Sequence, residues 1–215
     1  DPDPRVSGNG ILFLEKAGIE VISGVLESEA ANQNKEFLFR IQTGRPWSIL
    51  KCALSLDGRI GLQNGESKWI SCPESRKSVH LLRAKCDAVI VGGGTIRKDN
   101  PLLTSRGISN PEPLRVVLTN SLNIPFESQI FDISVAKTLI VCGPKVPAKL
   151  LKTIPSGPEV VQLQSSEPIE LLKVLGEKGC NKILWECGST LATSAIKGNC
   201  VQEFKFVLAP KILGG

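Results

Sequence analysis

Hydrophobic and polar positions change period along the chain, and the changes mark its elements. Between residues 10 and 17, Ile11, Phe13 and Leu14 recur at helical spacing and predict a helix with these residues inward; Gly18 stops it, and Ile19 to Ile22 alternates like a short strand. Leu26 to Ile41 predicts a second helix with Ala30, Phe37, Leu38 and Ile41 as its apolar stripe. Thr43-Gly44-Arg45-Pro46 closes it with glycine and proline, and a domain boundary is placed there. From Trp47 onward strands and helices alternate. Trp47 to Leu56 predicts a long strand interrupted by Lys51, followed by turns at Asp57-Gly58-Arg59 and Asn64-Gly65. Ser71-Cys72-Pro73-Glu74 predicts a helix start, with Ser71 as N-cap and Glu74 closing a capping box, and the helix runs to about Lys85. Further strands are expected at Ala88–Val91, Leu114–Leu118, Thr138–Val141, Val160–Leu163, Lys182–Trp185 and Glu203–Leu208, with helices at Pro147–Lys152, Pro168–Gly176 and Ser189–Ile196. This alternation implies an α/β fold with a largely parallel sheet.

Composition narrows the classes. With 215 residues the chain is long enough for one large domain with its own core. No apolar run approaches the ~20 residues that span a bilayer, so no membrane partner is expected. The net charge of +5 comes from basic residues scattered singly, such as Arg83, Lys85, Arg97, Lys98, Arg106 and Arg115, without interleaved aromatics. That argues against nucleic acid and for a small anionic ligand. Seven cysteines, an odd number with no C-x-x-C pair, suit buried thiols in a reducing compartment and offer no metal-site pattern. The single histidine, His80, reads as a packing or surface residue on a helix. There is no methionine, so the chain is read as processed or excised.

Ligands of open α/β sheets bind beyond the carboxyl ends of strands, and three such places carry unusual chemistry. Gly92-Gly93-Gly94-Thr95 after a buried strand could admit a phosphate close to the backbone, or could be a tight strand-to-helix turn. Trp185-Glu186-Cys187-Gly188-Ser189-Thr190 ends a buried strand on a carboxylate and opens a helix whose N–H groups can receive phosphate. A plain N-cap would explain the serine but not Glu186. Lys51 either faces solvent from an edge strand or needs a carboxylate or anionic ligand, with Glu186 the natural candidate.

Taken in order, Lys51-Cys52-Ala53-Leu54-Ser55-Leu56-Asp57-Gly58-Arg59, Gly65-Glu66-Ser67-Lys68-Trp69-Ile70-Ser71, Leu81-Leu82-Arg83, Gly94-Thr95, Asp99-Asn100-Pro101-Leu102-Leu103-Thr104, Trp185-Glu186-Cys187-Gly188-Ser189-Thr190-Leu191 and Leu208-Ala209-Pro210-Lys211-Ile212-Leu213-Gly214-Gly215 resemble the reductase domain of riboflavin biosynthesis. The resemblance implies a dihydrofolate reductase-like fold: a mixed, largely parallel sheet flanked by helices over residues 46–215. It also implies NADPH-dependent reduction of 5-amino-6-(5-phosphoribosylamino)uracil, in which the ribosyl ring opens to an imine and hydride reaches C1′. Residues 1–45 resemble the end of the deaminase domain that precedes the reductase in bifunctional members, together with a linker. The zinc motifs of that deaminase, H-x-E and P-C-x-x-C, are absent here.

Carried over by position, the resemblance assigns Ser67, Arg83, Leu103, Arg106 and Glu186 to the substrate. It assigns Ala53, Trp69, Thr95, Asp99 and the segment Gly188, Ser189, Thr190, Leu191, Ala192, Thr193, Ser194 to the dinucleotide. Asn120 stands where a bacterial relative has serine. Lys51 and Glu186 are the expected catalytic pair, Arg83 and Arg106 the expected forked holders of the 5′-phosphate, and no metal is expected. The family runs on past the motif ending at Gly215, so the resemblance implies a reductase domain truncated at its C-terminus, and a homodimer in the complete protein. Its compartment is the plastid stroma if the chain is plant-type, as its cysteine-rich variation suggests, and otherwise the cytoplasm. Two other readings share the scaffold: a non-catalytic fragment binding NADPH or a phosphosugar, and a pteridine-type reductase.

Overall fold

The structure is a computed structural model and describes residues 3, 5–62 and 71–214. Its strands are β1 (Trp47–Ser55), β2 (Ala88–Gly92), β3 (Leu114–Thr119), β4 (Thr138–Cys142), β5 (Glu159–Gln162), β6 (Lys182–Trp185) and β7 (Glu203–Ala209). They form one sheet in the order β5-β4-β3-β2-β6-β1-β7. Every pairing among the described residues is parallel, so the antiparallel member that a mixed sheet would need does not occur there. Burial on both faces is why the inner strands β2, β3, β4 and β6 read as nearly continuous apolar runs, while the edge strands β5 and β7 are partly exposed. Ile90, Val116, Leu139 and Trp185 pack on one face under Leu171, Leu172, Leu175, Ala192 and Ala195. Val89, Val91, Val117, Ile140 and Leu184 pack on the other with Ile96, Leu103 and Ile130.

Helices α4 (Pro73–Ala84), α5 (Gly93–Asp99), α6 (Ala148–Leu151), α7 (Pro168–Glu177) and α8 (Ser189–Lys197) join the strands. The path β2-β3-β4-β5 winds outward in one direction, and β6 then returns to lie between β2 and β1. The carboxyl ends of β2 and β6 and the middle of β1, where Leu50 faces Trp185, therefore stand side by side at the switch point of the sheet, where a ligand crevice is expected.

Several local expectations change. The α4 start shifts by one residue: Cys72 is the N-cap, Pro73 takes the first helical position that suits its missing N–H, and Ser71 makes no cap. The third helical position is then Ser75, whose Oγ lies 3.2 Å from Cys72 Sγ, so Glu74 cannot close a capping box. The helix expected over Leu26–Ile41 is two, α2 (Glu27–Gln33) and α3 (Lys35–Thr43), split at Asn34. Asn34 donates from its side chain to Ala30 O (2.8 Å), the local competition with helix bonding that this residue type favours. Ile19–Ile22 forms no strand because no strand lies beside it to pair with. Helix α1 (Asn9–Lys16) buries none of its residues; Ile11, Phe13 and Leu14, expected inward, are exposed. The junction is better fixed. Phe39 meets Trp47 edge-on, Arg40 Nε donates to Asn181 Oδ1 (2.6 Å), and Lys182 Nζ pairs with Glu36 Oε1 (2.5 Å). Glycine at 176 is required because a side chain there would run into the backbone of Gly44.

One charged residue belongs to the core. Arg115, on β3, is wholly buried, and its guanidinium donates to the carbonyls of Gln129 (3.2 Å), Ile130 (3.0 Å), Asp132 (2.8 Å) and Ala136 (2.7 Å), with Leu102 O at the outer limit of 3.5 Å. It ties the irregular segment between β3 and β4 to the sheet, adding to the bonds that Gln129 O, Ile130 O and Asp132 O accept from Asp132 N, Thr138 Oγ1 and Val135 N.

Candidate active site

The site begins where β6 stops. Glu186 N still donates to Ile90 O of β2 (2.9 Å), so the ladder carries Glu186 one residue past Trp185. Leu50 of β1 is in register with Trp185, which places Lys51 beside Glu186. Lys51 Nζ lies 3.6 Å from Glu186 Oε2, so the lysine inside an apolar strand has found the expected carboxylate. A tighter partner comes from α4. Arg83 Nε donates to Glu186 Oε1 (2.6 Å) and Arg83 Nη2 to Oε2 (3.1 Å), a forked pair. Arg83 Nη1 also donates to Thr104 O (2.9 Å). The forked edge expected to hold a phosphate is thus engaged by Glu186, and only the remaining guanidinium N–H groups are left for a ligand.

The three side chains are scarcely solvated: Lys51 is 19%, Arg83 13% and Glu186 9% exposed. Burial pushes the Glu186 carboxyl up, but the charges and hydrogen bonds of Arg83 and Lys51 outweigh it and hold it below the ordinary carboxylate value. Glu186 is therefore ionised at neutral pH, and the trio carries one net positive charge that favours an anionic ligand. A pH prediction follows from the depressed folded value. Glu186 stabilises the fold above its unfolded value near 4.5, and this contribution is lost as pH falls through the lower folded value. The urea-midpoint difference between wild type and Glu186→Gln should be largest at neutral pH and shrink below about pH 4.5, because protonated Glu186 resembles glutamine. A constant difference down to acid pH would contradict the ion cluster.

Beside this cluster lies a surface suited to a phosphate diester. Helix α8 starts at Ser189 with Gly188 as N-cap, makes no side-chain cap, has no acidic residue in its first turn, and leaves open space around Gly188. Its first N–H groups are free to receive an anion. Helix α5 begins directly after β2, beside α8: a Cβ on Gly92 would lie 3.5 Å from Leu191 Cδ2. Gly93 sits tightly against β3, where a Cβ would lie 3.1 Å from Thr119 Oγ1 and 3.2 Å from Ile124 Cγ2. The glycine run is thus a close-packed strand-to-helix turn that also brings two helix starts together. A donor-only surface of this kind fits the pyrophosphate of a dinucleotide.

The remaining expected residues divide. Ala53 is half-buried on β1 and pairs with Val207 of β7, while Thr95 and Asp99 are half-buried on α5. Ser189, Thr190 and Thr193 are exposed on α8, and Ser194 Oγ is turned back onto Thr190 O (3.2 Å). Ala192 belongs to the core and Leu191 packs against it, while Gly188, Ser189 and Thr190 are exposed at the start of α8. Leu103 is also a core side chain, at φ of 58°, and its burial leaves only its backbone for a ligand. Arg106 is exposed on the loop after Thr104. Ser67 and Trp69 lie outside the described residues. Asn120 is exposed at the end of β3. Among the described residues no group of three or more His, Cys, Asp or Glu side chains could hold a metal ion, and no helix is long and apolar enough to cross a membrane.

His80 stands closer to this site than a packing role suggests. Its Nδ1 is buried without a hydrogen-bond partner, and burial, Arg83 and Arg106 together pull its pKa down, so it is neutral at pH 7. Its place one turn before Arg83 on α4 was the available signal.

Comparison with known proteins matches residues 46–215 to the model of the RibD C-terminal domain. A riboflavin biosynthesis protein RibD of Synechocystis is 43% identical over the whole chain, which spans 59% of that protein. The chloroplastic riboflavin biosynthesis protein PYRR of Arabidopsis thaliana is 37% identical over the whole chain, spanning 38% of that protein. Among solved structures, a Thermotoga maritima diaminohydroxyphosphoribosylaminopyrimidine deaminase/5-amino-6-(5-phosphoribosylamino)uracil reductase superposes over the whole chain and 59% of its own, with a TM-score of 0.82 at 32% identity. The chain therefore spans about three-fifths of the RibD relatives it matches.

Proposed function

The chain belongs to the RibD C-terminal domain family, and from that premise we propose that it reduces 5-amino-6-(5-phosphoribosylamino)uracil to the 5-phosphoribitylamino product, with NADPH, in riboflavin biosynthesis. The observation that carries this reading is the buried carboxylate of Glu186, held between Lys51 and Arg83 where β6 ends against the middle of β1, and beside the start of α8 with no side-chain cap.

The chemistry has two parts. In the first, the ribosylamine ring opens: the ring oxygen gains a proton, the amine nitrogen loses one, and a C1′=N bond forms. In the second, C1′ gains a hydride and the nitrogen a proton, giving the secondary amine. NADPH, when bound, supplies the hydride. The first turn of α8 and the adjoining Gly92–Thr95 turn would hold its pyrophosphate. Lys51 donates the proton to the opening ring oxygen, because Glu186, kept ionised by its neighbours, has none to give. Glu186 orients the Lys51 ammonium and fixes Arg83, while Arg106 and the free N–H groups of Arg83 hold the 5′-phosphate. Ala53, Thr95, Asp99, Ser67 and Trp69 complete the cofactor and substrate contacts. The choice of NADPH over NADH rests on the family alone.

The other parts of the reading follow the same premise. Residues 1–45 are the end of a deaminase-like domain and its linker, consistent with a first helix that buries nothing. The complete protein is a homodimer. Seven free cysteines, four of them buried, suit a reducing compartment, which is the plastid stroma if the protein is a plant's.

The test is NADPH consumption by this chain, given the phosphoribosylaminouracil or a dihydropterin. Consumption with the former alone is expected. Cofactor binding with no consumption would favour the non-catalytic fragment, and consumption with the pterin alone a pteridine-type reductase.

A further inference from the structure

Arg106 occupies a backbone conformation that L side chains rarely adopt, with φ of 61°, and Gly107 follows it at 78°. Something must hold the chain there, since a lone non-glycine residue gains nothing from the left-handed region by itself. The structure supplies one group. Glu112 Oε2 accepts from Ser105 N at 2.6 Å and Glu112 Oε1 from Gly107 N at 2.7 Å. One carboxylate thus straddles Arg106, with one oxygen accepting from the N–H of the residue before it and the other from the N–H of the residue after it. Both bonds are short and charge-assisted, the strong kind of backbone contact.

The same loop is tied from the other side. Thr104 O accepts from Arg83 Nη1 (2.9 Å), so residue 104 is bound to the Glu186 cluster while residues 105 and 107 are bound to Glu112. Ser105 is wholly buried, and its Oγ takes bonds from Ser109 N (3.1 Å) and Ser109 Oγ (3.0 Å), closing the turn. Between these anchors the Arg106 side chain is left exposed, near enough to His80 to act on its charge together with Arg83.

We propose that Glu112 is a positioning residue: its carboxylate locks Ser105 and Gly107 so that Arg106 is held in the left-handed turn that aims its guanidinium at the phosphate end of the substrate. The inference rests on the reading of Arg106 as a phosphate contact. Glu112 touches neither substrate nor cofactor in this account and acts only through the loop.

The test compares Glu112→Gln, Arg106→Ala and the double variant in the complete enzyme, using the aminouracil substrate with and without its 5′-phosphate. Glutamine places an NH2 against one of the two N–H donors and breaks the straddle. Glu112→Gln is expected to raise KM for the phosphorylated substrate about tenfold, the worth of one charge-assisted contact, with kcat nearly unchanged. The dephosphorylated substrate should be unaffected, and the double variant no worse than Arg106→Ala alone. NADPH affinity, measured alongside, reports whether the variant is folded. If Glu112→Gln does not fold, Glu112→Asp, which keeps the charge but reaches only one N–H, should give an intermediate KM. A KM raised by Arg106→Ala but not by the Glu112 variants would overturn the positioning role and leave the phosphate contact standing. An unchanged KM in Arg106→Ala would remove the phosphate contact, and the inference with it.

Discussion

Glu186→Gln is expected to lower turnover by about 100-fold or more, within the range of lost acid–base assistance, while cofactor affinity stays near that of the wild type. The reason lies in what the carboxylate does for its neighbours. It accepts a forked pair from Arg83 and an ion pair from Lys51, and it is the single anion between them. A glutamine keeps the shape but turns an NH2 group toward one of two cations and removes the charge that orients the ammonium. Lys51→Ala should cost about as much, because it deletes the proton donor outright and leaves Glu186 paired with Arg83 alone. The two losses should not add in the double variant, since each removes the same pair. Pre-steady-state turnover with saturating NADPH is the measurement. Near wild-type turnover in both single variants would take the pair out of the chemistry.

The largest effect on stability is expected at Arg115, far from any ligand role. Arg115→Leu should cost about 3–5 kcal/mol, since it removes a whole buried network of charge-assisted bonds at once and leaves the Ala136 carbonyl without its donor, while Gln129 O, Ile130 O and Asp132 O keep Asp132 N, Thr138 Oγ1 and Val135 N. That is a large share of a typical stability of about 5–15 kcal/mol. Burial lowers the pKa of the guanidinium, and its Nε finds no acceptor, so the site already bears a desolvation cost that only the carbonyl bonds offset. Arg115→Lys should fall between leucine and wild type, because an ammonium has three donors and cannot span the carbonyls of Gln129, Ile130, Asp132 and Ala136 together. Urea unfolding checks both. A midpoint for Arg115→Leu equal to that of the wild type would show that water replaces the guanidinium without loss.

The inner strands were legible because a parallel strand covered on both faces must be apolar along nearly its whole length, as β2, β3, β4 and β6 are, whereas the edge strands β5 and β7 mix polar with apolar positions and are partly exposed. The pairing of Lys51 with Glu186 was legible for the complementary reason: a charge inside such a run demands a partner. Arg115 meets the same criterion in Leu114–Thr119 but is grouped in the sequence analysis with the scattered basic residues, and its acceptors are carbonyls, which leave no trace in side-chain identity. The forked Arg83–Glu186 pair joins residues 103 positions apart on different elements, beyond the reach of any local pattern. Glu112 was hidden likewise, because its partners are backbone N–H groups. At Leu103 and Ala192 position in a motif suggested ligand contact, while their apolar side chains were already committed to the two cores. The Ser71 cap failed by one residue because Pro73 belongs at the first helical position and so makes Cys72 the cap.

The proposed function stands on hydride delivery to C1′ of the opened ribosyl chain beside Lys51 and Glu186. The most direct measurement supplies the enzyme with the phosphoribosylaminouracil and NADPH deuterated at the transferring position of nicotinamide C4, then locates the label in the product by mass spectrometry and NMR. A single deuterium on C1′ of the ribityl chain is expected, formed much more slowly by Glu186→Gln. Deuterium on the pyrimidine ring, or bound cofactor that never transfers its label, would contradict it.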